Sequence, residues 1–167
     1  MRDVNFQRTV VLLTEHTETS SVGFVLNRRL KVNIGDIVSD MRSLDVPVFL
    51  GGPVSQNSLH FVHRLDSLPG CEMIYEGLYW GGSFKAIKEL AKEGALQGED
   101  IRFFVGYAGW GQGQLRQELE DKAWIVAPEN TAAIFQTDHG QLWRQVLKNL
   151  GGKFQVISNY PVDPQLN

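Results

Sequence analysis

Cysteine occurs once in these 167 residues, at Cys71, so no internal disulfide can hold the chain together. A lone thiol fits a reducing compartment. Long apolar runs are also missing. The first, Val10 to Leu13, spans four residues before Glu15 and His16, too short for a signal-peptide core or a membrane span. The reading is a cytoplasmic chain with no membrane partner.

Concentrated positive charge is scarce. Sixteen basic residues face 19 acidic ones, for a formal charge of −3, and the only basic cluster is Arg28, Arg29 and Lys31. A protein that grips a nucleic-acid backbone needs several cations on one face to displace counterions. The segment Gln114 to Asp121 offers Arg116 but also Glu118, Glu120 and Asp121, which phosphates would repel. No helix-turn-helix with a basic recognition helix is present, so direct nucleic-acid binding is not expected.

Catalytic signatures are absent too. Ser55 and Ser58 lack a G-x-S-x-G elbow, Cys71 follows Pro69-Gly70 without a catalytic pattern, and neither H-E-x-x-H nor H-x-x-E-H occurs. His60 and His63, three apart on an expected strand, point to opposite faces and cannot chelate one ion together. Glu15 with His16, and Asp138 with His139, are no better spaced. No catalytic residue, metal ligand or cofactor is assigned, and the balance leans away from an enzyme.

What the chain does hold is 43% hydrophobic residues and 17 glycines, enough for a core without metal or disulfide support. Phe6 to Thr14 and Val22 to Asn27 read as strands, antiparallel because the polar link is too short for a crossover helix. Asn33 caps an expected short helix to Met41. Pro47 to Leu50 and Leu59 to Leu65 read as strands, and Met73 to Leu78 continues the β character. Ser83 caps a helix to about Glu93, stopped by Gly94. Ile101 to Tyr107 reads as a central strand, followed by a Gly-rich turn and a helix carrying Leu115 and Leu119. Trp124 to Ala127 reads as a strand, Asn130 to Phe135 and Gln141 to Leu150 as helices, and the stretch from Asn159 as an extended tail. Strands interleave irregularly with short helices, which favours an α+β domain over regular α/β alternation.

In order, F-Q-R-T-V-V-L-L, E-H, G-F-V-L-N, G-G-P-V, G-L-Y-W-G-G and G-Y-A-G-W-G-Q-G-Q-L-R-Q-E-L resemble the YqgE/AlgH family. The resemblance runs from about Phe6 to Trp124 and is most specific over Gly106 to Leu119. Gln112 stands where that family often has proline, and Arg116 where it often has an acidic residue. Family members usually carry a further segment ahead of the Phe6 strand, whose absence would leave a sheet edge open. The resemblance implies a single domain over 1–167 and a small, mostly antiparallel, barrel-like sheet flanked by short helices. It also brings a label of transcriptional regulator, but no family-wide reaction.

Those motifs mark Asn27, Gly52, Trp80, Gly109, Trp110, Gly111 and Gln114 as candidate ligand-binding positions. The Gly106 to Gln114 turn could offer backbone N–H groups to an anion, though it has neither a Walker Gly-Lys-Ser/Thr nor a dinucleotide fingerprint. On the alternative reading its glycines permit a tight turn while Trp110 fills the core. The Trp80 and Trp110 segments could also face each other across an aromatic pocket. These features favour a non-enzymatic regulatory or interaction domain that acts through a protein partner or small ligand. A ligand-binding enzyme or sensor using Trp80 and Trp110 is the alternative, and a DNA-binding regulator the second.

Overall fold

Apolar and β-branched residues open the fold as an antiparallel pair, β1 (Val11–His16) and β2 (Ser20–Val25), in a computed structural model that describes residues 5–128, 130–136 and 138–160. The pair begins later than the sequence suggested, because Phe6 to Arg8 form a turn. β3 (Arg29–Asn33) follows, then the helical turn α1 (Ile34–Ile37). The single helix expected to Met41 breaks at Val38, whose extended backbone separates α1 from a 3-10 turn over Ser39–Met41. The chain doubles back so tightly there that a Cβ on Gly35 would lie 2.8 Å from Arg42 Cα. Both Ile34 and Met41 thereby reach the core.

β4 (Pro47–Leu50) matches expectation, whereas β5 (Val54–His63) starts ahead of the strand expected from Leu59. Met73 to Leu78 is a hairpin of β6 (Cys71–Tyr75) and β7 (Leu78–Gly81), turned at Glu76-Gly77. α2 (Phe84–Lys92) starts at Ser83, whose Oγ accepts the Ala86 N–H at 3.2 Å. β8 (Ile101–Gly111) runs straight through the segment read as a Gly-rich turn, and the actual turn is Gln112-Gly113, ahead of α3 (Gln114–Glu120). No strand forms at Trp124 to Ala127; the Trp124 side chain turns back to α3 instead. α4 (Thr131–Gln136), α5 (Leu142–Leu150) and α6 (Gly152–Ser158) follow. The tail expected from Asn159 lies, beyond Tyr160, outside the described residues.

The result is an α+β domain around one strongly coiled, barrel-like sheet in the order β1-β2-β8-β5-β7-β6, with β3 and β4 attached through β8. Pairing is antiparallel except between β4 and β8. Alternation along the strands feeds two cores. On one face Ile101, Phe103, Phe61 and Val48 meet Ile34, Met41 and Ile87 of the first helical segments and α2. On the other, Phe24, Phe49, Val62 and Phe104 meet Ile134 of α4 and Leu142 of α5. Full burial of each such phenylalanine stabilises by about 1.5–3 kcal/mol.

β8 holds the sheet together because it serves three neighbours. One edge pairs with β5; the other pairs with β4 as far as Val105 and with β2 from Ala108 onward. The exchange is made at Gly106, in the left-handed region at φ 68°, where Gly51 and Gly52 cross over β8. Gly51 N–H donates to Val105 O at 2.9 Å, and Val25 N–H donates to Gly51 O at 2.8 Å. A Cβ on Gly52 would sit 2.2 Å from the Tyr107 carbonyl.

Gly52→Ala should therefore cost about 3 kcal/mol or more, because rigid backbone must move. Gly111→Ala, whose Cβ would meet nothing within 4 Å, should stay within about 0.5 kcal/mol of the parent. Urea unfolding of the two variants checks the contrast.

Candidate functional site

Trp110 alternates inward on β8 and is only 6% exposed. Its Nε1–H donates to Glu118 Oε2 at 3.0 Å, and the Trp124 indole donates to the same oxygen at 2.7 Å. Gln114, one helical turn before Glu118 on α3, donates to Oε1 at 3.0 Å. The Gln114 amide oxygen in turn accepts the Gly111 N–H at 3.1 Å. Phe6 completes the cluster, its ring centre 6.4 Å from Trp110 and 5.4 Å from Trp124, with the two indoles 5.9 Å apart and edge-on. Two indoles and one amide thus converge on one carboxylate and fasten α3 and the Trp124 segment to the end of β8. Trp110 fills an interior position, and the Gly111 N–H that an anion could have used is occupied.

Asn27 and Gly52 also serve the scaffold. Asn27 Oδ1 accepts the Val10 N–H and its Nδ2 donates to Arg8 O, each at 2.9 Å, so the side chain continues the β1 ladder into the N-terminal segment. Gly52 is the backbone crossing described above. Gly109 lies in β8 opposite Val22. Trp80, on β7, packs 6.0 Å from Phe24 and lines a different region from Trp110, whose ring neighbours are Phe6 and Trp124. The two tryptophan segments are not brought together.

Trp80 borders an open notch of about 420 Å³, walled by Leu59, His60, Phe61, Gly81, Gly82 and Phe84. It exists because β7 pairs with β5 only at Val62↔Trp80 and His63↔Tyr79 before Gly81 and Gly82, both at positive φ, swing the chain into α2. From Phe61 back, that edge of β5 has no paired strand among the described residues.

The histidines and serines are arranged against nucleophilic catalysis. Ser58 donates its hydroxyl proton to Ser55 O at 2.7 Å, so the 2.9 Å contact with His60 Nε2 requires that nitrogen to carry the hydrogen. His60 is a donor to Ser58 and not its base. His63, fully buried on the opposite face, accepts the Leu65 N–H at Nδ1 (3.1 Å) and directs Nε2–H at Gly81 O (2.9 Å). Burial holds the pKa of both rings below the ordinary imidazole value, with the Gly81 bond pulling His63 weakly the other way. Cys71 is half-buried and free. Among the described residues no group of three or more His, Cys, Asp or Glu is placed to hold a metal ion, and no helix is long and apolar enough to cross a membrane.

Two residues with clear local roles went unassigned in the sequence reading. In the sequence Glu118 stands out only as one of the acids that would repel phosphate. Arg102, a lone arginine inside I-R-F-F-V, is the visible sequence signal of a buried charge. It is 8% exposed and faces a second cavity.

A coiled, mostly antiparallel sheet carrying short helices, with its polar groups turned to internal fastening, defines a compact α+β scaffold class. Within that class, the sequence model of the AlgH-like family matches residues 1–155, and the chain belongs to this family. A UPF0301 protein of Cytophaga hutchinsonii is 42% identical over 167 residues, covering 99% of this chain and 92% of its own. One from Bacteroides thetaiotaomicron is 37% identical, covering 100% and 86%. The solution structure of the AlgH protein from Pseudomonas aeruginosa superposes with a TM-score of 0.76 at 26% identity over 98% of this chain and 89% of that one. A crystal structure of a Corynebacterium diphtheriae protein gives 0.80 at 24% identity, covering 96% and 86%, a likeness of fold alone.

Truncation of Trp110 to alanine should cost about 3–5 kcal/mol of stability, as for a core aromatic. Calorimetry separates this from a ligand platform, which would leave stability nearly unchanged. For the histidines, a folded pKa below the unfolded value means that the unfolded chain binds protons the folded one rejects. Their contribution is complete above about pH 6.5 and is lost as pH falls through the folded pKa values. Urea midpoints measured at about pH 7.5 and about pH 5.5 should show this decline, and His63→Gln should reduce it.

Proposed function

We propose that this protein works by binding, without catalysis, and that it receives an extended segment of a protein partner in the notch beside Trp80. The observation that carries the reading is the early end of the β5–β7 pairing, which leaves a strand edge open directly above apolar walls. An open edge offers main-chain hydrogen bonds to an incoming strand, and pockets along it select alternate side chains. Leu59, Phe61 and Phe84 supply such a pocket, and the Trp80 indole supplies a flat surface for an apolar anchor residue.

The role is regulatory in the sense of partner recognition. Net negative charge and the acidic character of α3 favour a protein over nucleic acid as that partner. Glu118, Gln114, Trp110 and Asn27 fasten other parts of the scaffold and do not line the notch.

Panning a displayed peptide library on the intact protein should enrich segments with alternating apolar residues. Their affinity should fall at least tenfold on Trp80→Leu, with circular dichroism and the unfolding midpoint checking that the variant stays folded, because the indole also packs against Phe24. Selected peptides that bind this variant as tightly as the parent would remove the notch from the mechanism. Native mass spectrometry of freshly purified protein provides the second arm: a small molecule retained by the parent and lost from Trp80→Leu would replace the peptide with a small ligand.

A further inference from the structure

A second cavity, of about 360 Å³ and sharing no lining residue with the Trp80 notch, opens between β4, β8 and the loop after α4. Its walls are Val46, Pro47, Phe49, Ile101 and Phe135, and its buried end is the Arg102 guanidinium. Arg102 makes one hydrogen bond, from Nη1 to Leu26 O at 3.1 Å, and its Cζ lies 4.6 Å from the centre of the Phe49 ring. Among the described residues no carboxylate lies within ion-pair distance of it. Among the described residues every side-chain nitrogen sealed from solvent has a partner, so the guanidinium nitrogens that lack one keep solvent contact, and Arg102 lines this cavity.

A charge buried in this way without a counter-ion is costly, and apolar residues of similar volume commonly pack better in its place. The position would suit methionine if packing were its only task. The Phe49 face and one carbonyl offset part of the penalty, but neither carries a negative charge. Burial pushes the Arg102 pKa down to about 10, so the group is still charged at neutral pH. The arrangement lacks an anion.

The surroundings restrict which anion fits. Asp138 and His139 line the cavity, with the Asp138 side chain 68% exposed and its Oδ1 accepting the Gly140 N–H at 2.9 Å and lying 3.7 Å from His139 Nδ1. Arg102 is the one guanidinium in the lining, with Arg64 standing outside it over the Phe135 ring, and the Asp138 carboxylate at the rim repels a dianion such as phosphate more than a monoanion. A carboxylate, by contrast, matches the guanidinium fork, and an apolar body would fill the space among Phe49, Ile101 and Phe135.

We propose that this cavity binds a small organic monocarboxylate with an apolar body, its carboxylate held by Arg102 and its hydrocarbon part packed between Phe49 and Phe135. The site is independent of the Trp80 notch. Asp138, left at the mouth, weakens monoanion binding or favours a ligand that also carries an amine.

The test uses phenylacetate as probe, with phenylalanine and inorganic phosphate for comparison, by isothermal titration and thermal shift on the intact chain. Phenylacetate or phenylalanine should bind and raise the unfolding midpoint, with phosphate at least tenfold weaker. Arg102→Met should abolish binding while unfolding at the same temperature or higher, a combination that a purely structural arginine would not give. Should that variant fail to fold, Asp138→Ala at the exposed rim decides: phenylacetate should bind it severalfold tighter. No binding of either organic probe at about 10 mM by the parent and by Asp138→Ala would overturn the proposal. Equal binding by a folded Arg102→Met, or loss of binding on Trp80→Leu, would do the same.

Discussion

The backbone crossing of Gly51 and Gly52 over Gly106 and Tyr107 is the constraint on which the rest of the molecule depends. It lets one edge of β8 serve β4 first and β2 afterwards, so the sheet coils instead of lying flat. Only glycine allows the approach, since any Cβ on Gly52 would occupy the space of the Tyr107 carbonyl. Once that exchange is made, Phe103 and Phe104 are directed into separate cores, and each core recruits its own helices.

Around this crossing the polar side chains are turned inward to fasten segments. Glu118 gathers Trp110, Trp124 and Gln114; Asn27 ties the N-terminal segment to β1; Ser58 and His60 stabilise the bulge near the start of β5. Such networks rigidify a domain when every member is satisfied. Two places stand outside this pattern. At the Trp80 notch a strand edge and apolar walls are open, and at Arg102 a buried charge lacks its opposite. Binding sites are built from features of this kind, because a ligand supplies what the fold leaves out.

Local signals were legible where they had one cause. Pro47 to Leu50, the Ser83 cap and the amphipathic stretch from Leu142 to Leu150 fall where residue pattern placed them. Legibility failed where a distant partner intervened. The residues A-G-W-G read as a turn, yet in β8 they are strand positions facing β2, where the small Ala108, Gly109 and Gly111 let the strands approach closely. Trp124 reads as a strand residue but is captured by Glu118. β3 carried an alternating R-L-K-V-N pattern that could have been recognised, whereas α6 begins at Gly151-Gly152, a poor advertisement for a helix. Of the candidate site, Trp80 borders the notch, whereas Arg102 shows in the sequence only as a lone charge in an apolar strand, with no spacing that names its partner.

The sequence by itself determined the α+β class, most element types and membership of the AlgH-like family, because periodicity, caps and motif order are local properties of the chain. Only the tertiary structure decided which strands share β8, that Glu118 is a fastening point, that Trp80 and Arg102 line cavities, and that Trp110 is buried against Phe6 and Trp124. Those outcomes follow from pairings between residues far apart in the chain, where backbone approach and burial, not local pattern, decide which groups remain available.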